Sequence, residues 1–247
     1  MHGSALGERT SRALLRLQWS PEQVARRLPA SHETLCQQVY ADKTQDGNLW
    51  KNLRCQKQKR KRYASGRDRR GQIPNRRPLS ERLARVEGRK QVGHWECDTV
   101  IGANHKQAIV TVVERKSEYA VMAKVSNKTV DLVSQAIIKA LSPFEARVKA
   151  LTYDNGKEFC GHAWIDEALK STGYFAWPFA SWERGTNENF NGLLRQYLPK
   201  KRTMKNINDA DIKMFENRLN NRPRKRSGFR APAEVVHQSL SRFALRT

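Results

Sequence analysis

Residues 95–126, WECDTVIGANHKQAIVTVVERKSEYAVMAKVS, decide the fold. Three short runs within this stretch, WECDTVIG, QAIVTVV and YAVMAKVS, are rich in β-branched and apolar residues, and the turn-like GANHK and ERKS separate them. No crossover helix fits in those gaps, so the runs pair antiparallel as a meander. Downstream the pattern alternates. TVDLVSQAIIKALS (129–142) places Leu132, Val133, Ala136, Ile137 and Leu141 on one helical face. VKALTY (148–153) reads as a fourth strand, HAWIDEALKS (162–171) as a helix, YFAWP (174–178) as a fifth strand and NENFNGLLRQY (187–197) as a helix. Three antiparallel strands followed by αβαβα is the order of an α/β, RNase H-like (integrase-type) core, a mixed five-stranded sheet with helices on both sides. INDADIKMFENRLNN (207–221) then adds an amphipathic helix, and a basic loop, RPRKRSG, leads to a short terminal helix.

The rest of the 247 residues is read outward from this core. A formal net charge of +23 predicts attraction to a polyanion, with nucleic acid as the default partner. No run approaches the ~18 apolar residues of a membrane span, and the N-terminus lacks the pattern of a signal peptide, so no membrane role is expected and a cytoplasmic location is. The four cysteines, 36, 55, 97 and 160, form no CxxC pair, and no disulfide framework is expected. Ser20-Pro21-Glu22-Gln23 carries an N-cap, a first-turn proline and a capping-box partner, with Val24 and Leu28 behind them. Ser31 caps a second helix bearing Leu35 and Val39. The two helices fit a helix-turn-helix, and equally a plain helical hairpin. Residues 51–90 hold 16 Lys plus Arg against Asp68, Glu81 and Glu87. Arg60, Lys61, Arg62, Arg69 and Arg70 lie there, in a stretch with almost no apolar periodicity, which predicts an arm that tracks phosphates. The expected organisation is a partial helix-turn-helix-like segment over 1–45, the basic arm over 46–91, the catalytic core over 92–200 and a helical extension with a basic loop over 201–247.

Carboxylates at strand ends carry the chemistry. Asp98 sits inside the first strand among apolar and small neighbours, where an aspartate is unfavourable without a purpose. Asp154 closes the fourth strand before an Asn-Gly turn, and in this fold the first and fourth strands are neighbours. Two nearby carboxylates repel unless a cation lies between them, and hard oxygen donors select Mg²⁺ or Mn²⁺. A zinc site from His94, Cys97, Cys160 and His162 fits the known ligand spacings poorly, and a buried thiol with ordinary histidines is expected instead. Of two glutamates near the last core helix, Glu183 precedes the helix start, whereas Glu188 stands in its first turn. Phe190, Leu193, Leu194 and Tyr197 cluster on one face, so Glu188, Asn191 and Arg195 are expected on the opposite, outward one. Glu188 is therefore the third acid. Glu96 shares a strand face with Asp98 and is expected to form a surface ion pair, or to orient metal-bound water. Trp182 is expected to pack on the fifth strand rather than stack on a base. Asn187 and Asn191 are candidate ligands for the helix end, metal-bound water or phosphate. Lys200, Lys201 and Arg202 continue the basic track, as do Arg222, Arg224, Lys225 and Arg226.

GHWECDTVIG, LTYDNGKEF, SWERGTNENFNGLLRQY, LNNRPRK and GFRAPAEV together resemble the IS-thirty family of bacterial insertion-sequence transposases, from about residue 19 to 236. Thirty-three residues separate the second and third acids. The resemblance implies a DDE transposase in the bacterial cytoplasm, associated with the nucleoid. Asp98, Asp154 and Glu188 would hold two divalent ions, Mg²⁺ or Mn²⁺, and Arg195, seven positions after the glutamate, would contact DNA. Such enzymes cleave one strand at the element end with water and use the freed 3′-hydroxyl to attack target DNA, as homo-oligomers that synapse two ends. Three departures accompany it. The chain starts too late for the further N-terminal helix-turn-helix region of the family, the turn around Pro29 is short, and Cys97 stands where glycine is usual. A DNA-binding relative without transposition, and an RNase H-like nuclease that cuts without joining, are the rival expectations.

Overall fold

A computed structural model describes residues 3–53, 73–103, 107–177, 181–200 and 203–244. The chain divides into two compact units. One comprises residues 1–65 with 221–231, and the other comprises 66–220 with 232–247.

In the first unit, α1 (Gly3–Arg16), α2 (Pro21–Ala25) and α3 (His32–Thr44) close over a small core of Leu15, Val24, Leu35, Val39 and Leu49. The capping box forms in full: Ser20 Oγ accepts from the Gln23 amide at 3.3 Å, and Gln23 Oε1 accepts from the Ser20 amide at 2.8 Å. Ser31 caps α3 by accepting from the Thr34 amide at 3.0 Å. Loop 221–231, expected to belong with the C-terminal extension, packs against α2 instead. Gln23 Nε2 donates to the Pro223 carbonyl, Arg222 Nε donates to Gln23 Oε1 at 3.0 Å, and Lys225 pairs with Glu22 at 2.7 Å.

The second unit is built on one sheet, whose strands are β1 (His94–Ile101), β2 (Ala108–Glu114), β3 (Ala120–Val125), β4 (Ala150–Tyr153) and β5 (Thr172–Phe175). Their order is β3-β2-β1-β4-β5. The first three pair antiparallel, and β4 and β5 add parallel beside β1. This is the RNase H-like topology that the alternation of elements predicts. Because side chains alternate along a strand, β1 serves two cores. Trp95 and Cys97 join Val112, Leu151, Tyr153 and Phe175 under α4 (Val130–Leu141) and α5 (His162–Leu169). Val100 joins Ile109 and Val113 beneath α6 (Gly185–Leu194) and α7 (Asp209–Asn220), which contribute Phe190, Leu193, Ile212, Phe215 and Leu219. Residues 232–244 form α8 (Pro232–Ala244).

Both outer edges of the sheet are covered, which removes a template for strand addition. Along β3, Glu216 Oε2 accepts from the Met122 amide at 2.9 Å, and Asn220 exchanges two bonds with the backbone of Ala120. Along β5, the Phe175 amide donates to the Arg77 carbonyl at 2.9 Å, and Pro78 bridges Phe175 in parallel. Gly93, at the entry to β1, has φ +113°, and a Cβ there would lie 2.2 Å from the Arg147 carbonyl oxygen. Only glycine fits that approach.

Cys97 is wholly buried, and burial pushes its thiol well above the ordinary range. Alkylation of the native protein with iodoacetamide should therefore leave Cys97 unmodified while the partly exposed Cys36 and Cys160 react. Peptide mass mapping reads the outcome, and native-state labelling of Cys97 would contradict this packing.

Candidate active site

The site begins where β1 outruns its neighbour. β4 pairs with β1 only from His94 to Glu96, and then stops at Tyr153. Asp98 on β1 and Asp154 just past β4 therefore flank an opening in the sheet. Asp98 stands opposite Thr111 of β2 and faces α6, the side on which Glu96 and Val100 also lie. Its Oδ1 accepts from the Thr99 amide at 2.8 Å. Asp154 Oδ1 accepts from the Gly156 amide at 2.8 Å, so the Asn-Gly turn fixes that carboxylate in the same manner.

One guanidinium joins the pair. Arg184 Nη1 lies 3.3 Å from Asp98 Oδ2, and Nη2 lies 3.9 Å from Asp154 Oδ2. Burial pushes the Asp98 carboxyl above the usual aspartate range; Arg184 opposes that rise, and the charge of Asp154 adds to it. These carboxylates are hard oxygen donors whose repulsion a cation between them relieves, and here that cation is the Arg184 guanidinium. That arrangement fits a divalent ion.

Helix α6 is tied to β1 by two asparagines on its inner side. Asn191 Nδ2 donates to Asp98 Oδ2 at 3.0 Å, and its Oδ1 accepts from Thr111 Oγ1 at 3.2 Å. Asn187 is fully buried: its amide donates to Glu96 Oε2 at 2.9 Å, and its Nδ2 donates to the Glu96 carbonyl at 3.1 Å. Glu96 thus caps α6 from a neighbouring strand, satisfying one of the first-turn amides that a helix leaves open. It is no surface residue. It is completely buried, and Arg115 Nε stands 3.2 Å from its Oε1, as an ion contact rather than an aligned hydrogen bond. Arg115 also reaches Glu87, Glu87 pairs with Arg82, and Arg82 donates to Thr152 Oγ1 at 2.8 Å. A chain of alternating charges therefore runs beneath the start of α6.

The remaining expected residues fall in several places. Glu188 is exposed in the first turn of α6, one residue after Asn187. Among the described residues, no group of three or more His, Cys, Asp or Glu side chains is placed to hold a metal ion, so Glu188 is not gathered with the two aspartates. Asn191, expected to face outward, turns both ends of its amide into the protein. The helical wheel locates the apolar stripe correctly, but the strands beneath this end of α6 present Asp98 and Thr111, and they draw the asparagines inward. Arg195 donates to the carbonyls of Leu198 and Ile101, each at 3.4 Å. Burial holds its guanidinium below the usual arginine range, and Asp98 opposes that shift. Glu183 precedes α6 in a short 3-10 turn, Ser181–Arg184, and its Oε2 accepts from the Trp177 amide at 2.8 Å. Lys200 is exposed, Lys225 is exposed and paired with Glu22, and Arg224 is buried in the loop that packs on α2. Arg60, Lys61, Arg62, Arg69, Arg70, Lys201 and Arg202 lie outside the described residues, as does the side chain of Trp182.

Two residues at the site have no counterpart in the sequence reading. Arg184 lies in the quoted WERG stretch, where an arginine directly before a helix start and four residues ahead of an acid was the available signal. Arg76 donates to Asn155 Oδ1 at 2.6 Å, which brings a cation from residues 46–91 to the turn that carries Asp154.

Residues 88–175 match the integrase core domain family. The chain is 40% identical over 241 residues to the transposase of insertion sequence element IS4351 from Bacteroides fragilis, spanning 94% of this chain and 74% of that protein. It is 34% identical over 245 residues to the transposase of element IS1086 from Cupriavidus metallidurans, spanning 93% and 72%. It is 34% identical over 247 residues to transposase InsI of element IS30A from Escherichia coli, spanning 92% and 63%. Among solved structures, the catalytic core domain of BIV integrase aligns with a TM-score of 0.47 at 22% identity, covering 61% of this chain and 98% of that one.

Proposed function

We propose, for a chain that belongs to the family of insertion-sequence transposases, that Asp98, Asp154 and Glu188 hold divalent ions for phosphoryl transfer on DNA. The observation that carries this reading is the sharing of one guanidinium by Asp98 and Asp154 at the open end of β1. The ions are Mg²⁺ or Mn²⁺, two per site, and when bound they would neutralise charge building on the phosphate and lower the pKa of the attacking oxygen.

The protein's own residues set the stage for in-line attack. Asp98 and Asp154 each have one oxygen fixed by a backbone amide, and the other faces the Arg184 cation. The Glu96–Asn187 and Asp98–Asn191 bonds hold the first turn of α6 against β1, and Glu188 belongs to that turn. Glu188 is exposed there, and the proposal requires its carboxylate to join the aspartates when metal and DNA bind. Arg76, Lys200 and the basic arm offer cations to the phosphates on either side of the reacting one.

The reaction is cleavage of one strand at an element end, followed by attack of the freed 3′-hydroxyl on target DNA. It takes place in the bacterial cytoplasm, in a homo-oligomer that holds two ends together. No helix among the described residues is long and apolar enough to cross a membrane.

A labelled element-end oligonucleotide incubated with Mn²⁺ tests the proposal. Cleaved plus joined product is the expected result. Binding without product would replace the proposal with a DNA-binding relative, and cleavage without joining would replace it with a nuclease.

A further inference from the structure

Arg184 bridges the two carboxylates with little room to spare. Its side chain is 12% exposed, and Nη1 also lies 3.4 Å from the Cys97 carbonyl oxygen, to which it donates. On Asp98, Oδ1 is taken by the Thr99 amide, and Oδ2 receives Asn191 together with Arg184. On Asp154, Oδ1 is taken by the Gly156 amide and Oδ2 faces Arg184. The oxygens that a divalent ion would need are thus the oxygens that the guanidinium holds.

One positive charge between two carboxylates offsets part of their mutual repulsion, so the metal-free site carries one net negative charge rather than two. A divalent ion must then compete with a cation supplied by the chain at high local concentration. We propose that Arg184 is an internal counterion of this site, expelled when metal enters, so that metal loading and release of Arg184 are a single exchange. The inference rests on the reading of Asp98 and Asp154 as metal holders.

The local structure permits the exchange. Arg184 ends a short 3-10 turn, Ser181–Arg184, and precedes Gly185, where a Cβ would meet no atom within 4 Å. There is open space beside that junction on the side a Cβ would occupy. Once displaced, the guanidinium keeps a planar fork of five N–H donors, which suits a phosphate at the same site. Metal and DNA would then favour each other's binding, because each supplies what the other's arrival leaves unpaired.

Calorimetric titration of Mn²⁺ into the DNA-free protein at about pH 8, where carboxyls are ionised, tests this with three proteins: wild type, Arg184→Gln and Asp154→Asn. Arg184→Gln should bind Mn²⁺ on the order of tenfold more tightly than wild type. Its thermal midpoint should lie below wild type in EDTA, with the gap closing in saturating Mn²⁺. Asp154→Asn should lose binding. Affinity in Arg184→Gln equal to or weaker than wild type, with binding lost in Asp154→Asn, overturns the counterion and leaves the metal site standing. Unchanged binding in Asp154→Asn overturns the metal site itself, and the counterion with it. If Arg184→Gln does not fold, Arg184→Lys replaces it. A lysine cannot fork across both carboxylates, so its Mn²⁺ affinity should rise above wild type, and an affinity at or below wild type counts against the proposal.

Discussion

Asp154→Asn is expected to abolish both strand cleavage and strand joining, a loss of at least roughly a thousandfold, because it removes one of the two carboxylates on which the cation depends. The variant should still fold. An asparagine Oδ1 can accept the Gly156 amide as the aspartate does, and the 3.9 Å contact that it gives up on Arg184 is the longer of the two. Stability should fall by no more than about 1 kcal/mol. DNA binding should persist, and should still weaken steeply with salt, since the net charge rises by one unit from +23. Gel-shift titrations at two salt concentrations, run beside the labelled-oligonucleotide assay, separate the two effects. Retained strand transfer in this variant would refute the assignment of Asp154.

Glu96→Ala is the second large effect, and it reads a different property. Glu96 is completely buried, pairs with an Arg115 whose side chain is 2% exposed, and accepts the Asn187 amide. Its removal leaves Arg115 with Glu87 as its acidic partner and leaves a first-turn amide of α6 without its acceptor. Breaking a buried pair by removing one member costs about 3–5 kcal/mol. For a chain of this size, that corresponds to a drop of the thermal midpoint on the order of 10 °C. Glu96→Gln keeps an acceptor for Asn187 but not the charge, and should fall between the two. Scanning calorimetry gives the ordering. A midpoint for Glu96→Ala within a degree or so of wild type would mean that the pair does not hold α6 in place.

These two residues mark what the sequence disclosed and what it hid. Asp98 and Asp154 were legible because strand alternation is local: an acid inside an apolar strand, or at the end of one, stands out in a window of eight residues. The order of the elements, and hence the sheet, was legible for the same reason. Glu96 was misjudged as a surface residue because its partner, Arg115, lies nineteen positions away beyond β2, and nothing local announces that the two meet in the core. Helical phase alone places Asn191 outward and leaves the direction of Asn187 open. Phase identifies the apolar stripe, whereas the direction taken by polar residues beside it depends on the strand beneath. Arg184 is hard to read from sequence because it ends a single 3-10 turn, too short for a periodicity that assigns a side. Arg224 looks like one more cation in a basic loop, but it is buried, in a loop that packs on α2 some two hundred residues earlier in the chain.

The unequal lengths of two neighbouring strands have a further consequence. β1 runs for eight residues and β4 for four, and their ladder covers only the first three positions of β1. Beyond it, carbonyls of Cys97 and Ile101 receive Arg184 and Arg195 in place of a neighbouring strand. The two halves of β1 therefore answer to different demands. Substitutions over His94–Glu96 act on the ladder that joins β1 to β4, and those over Cys97–Ile101 act on the opening beside it.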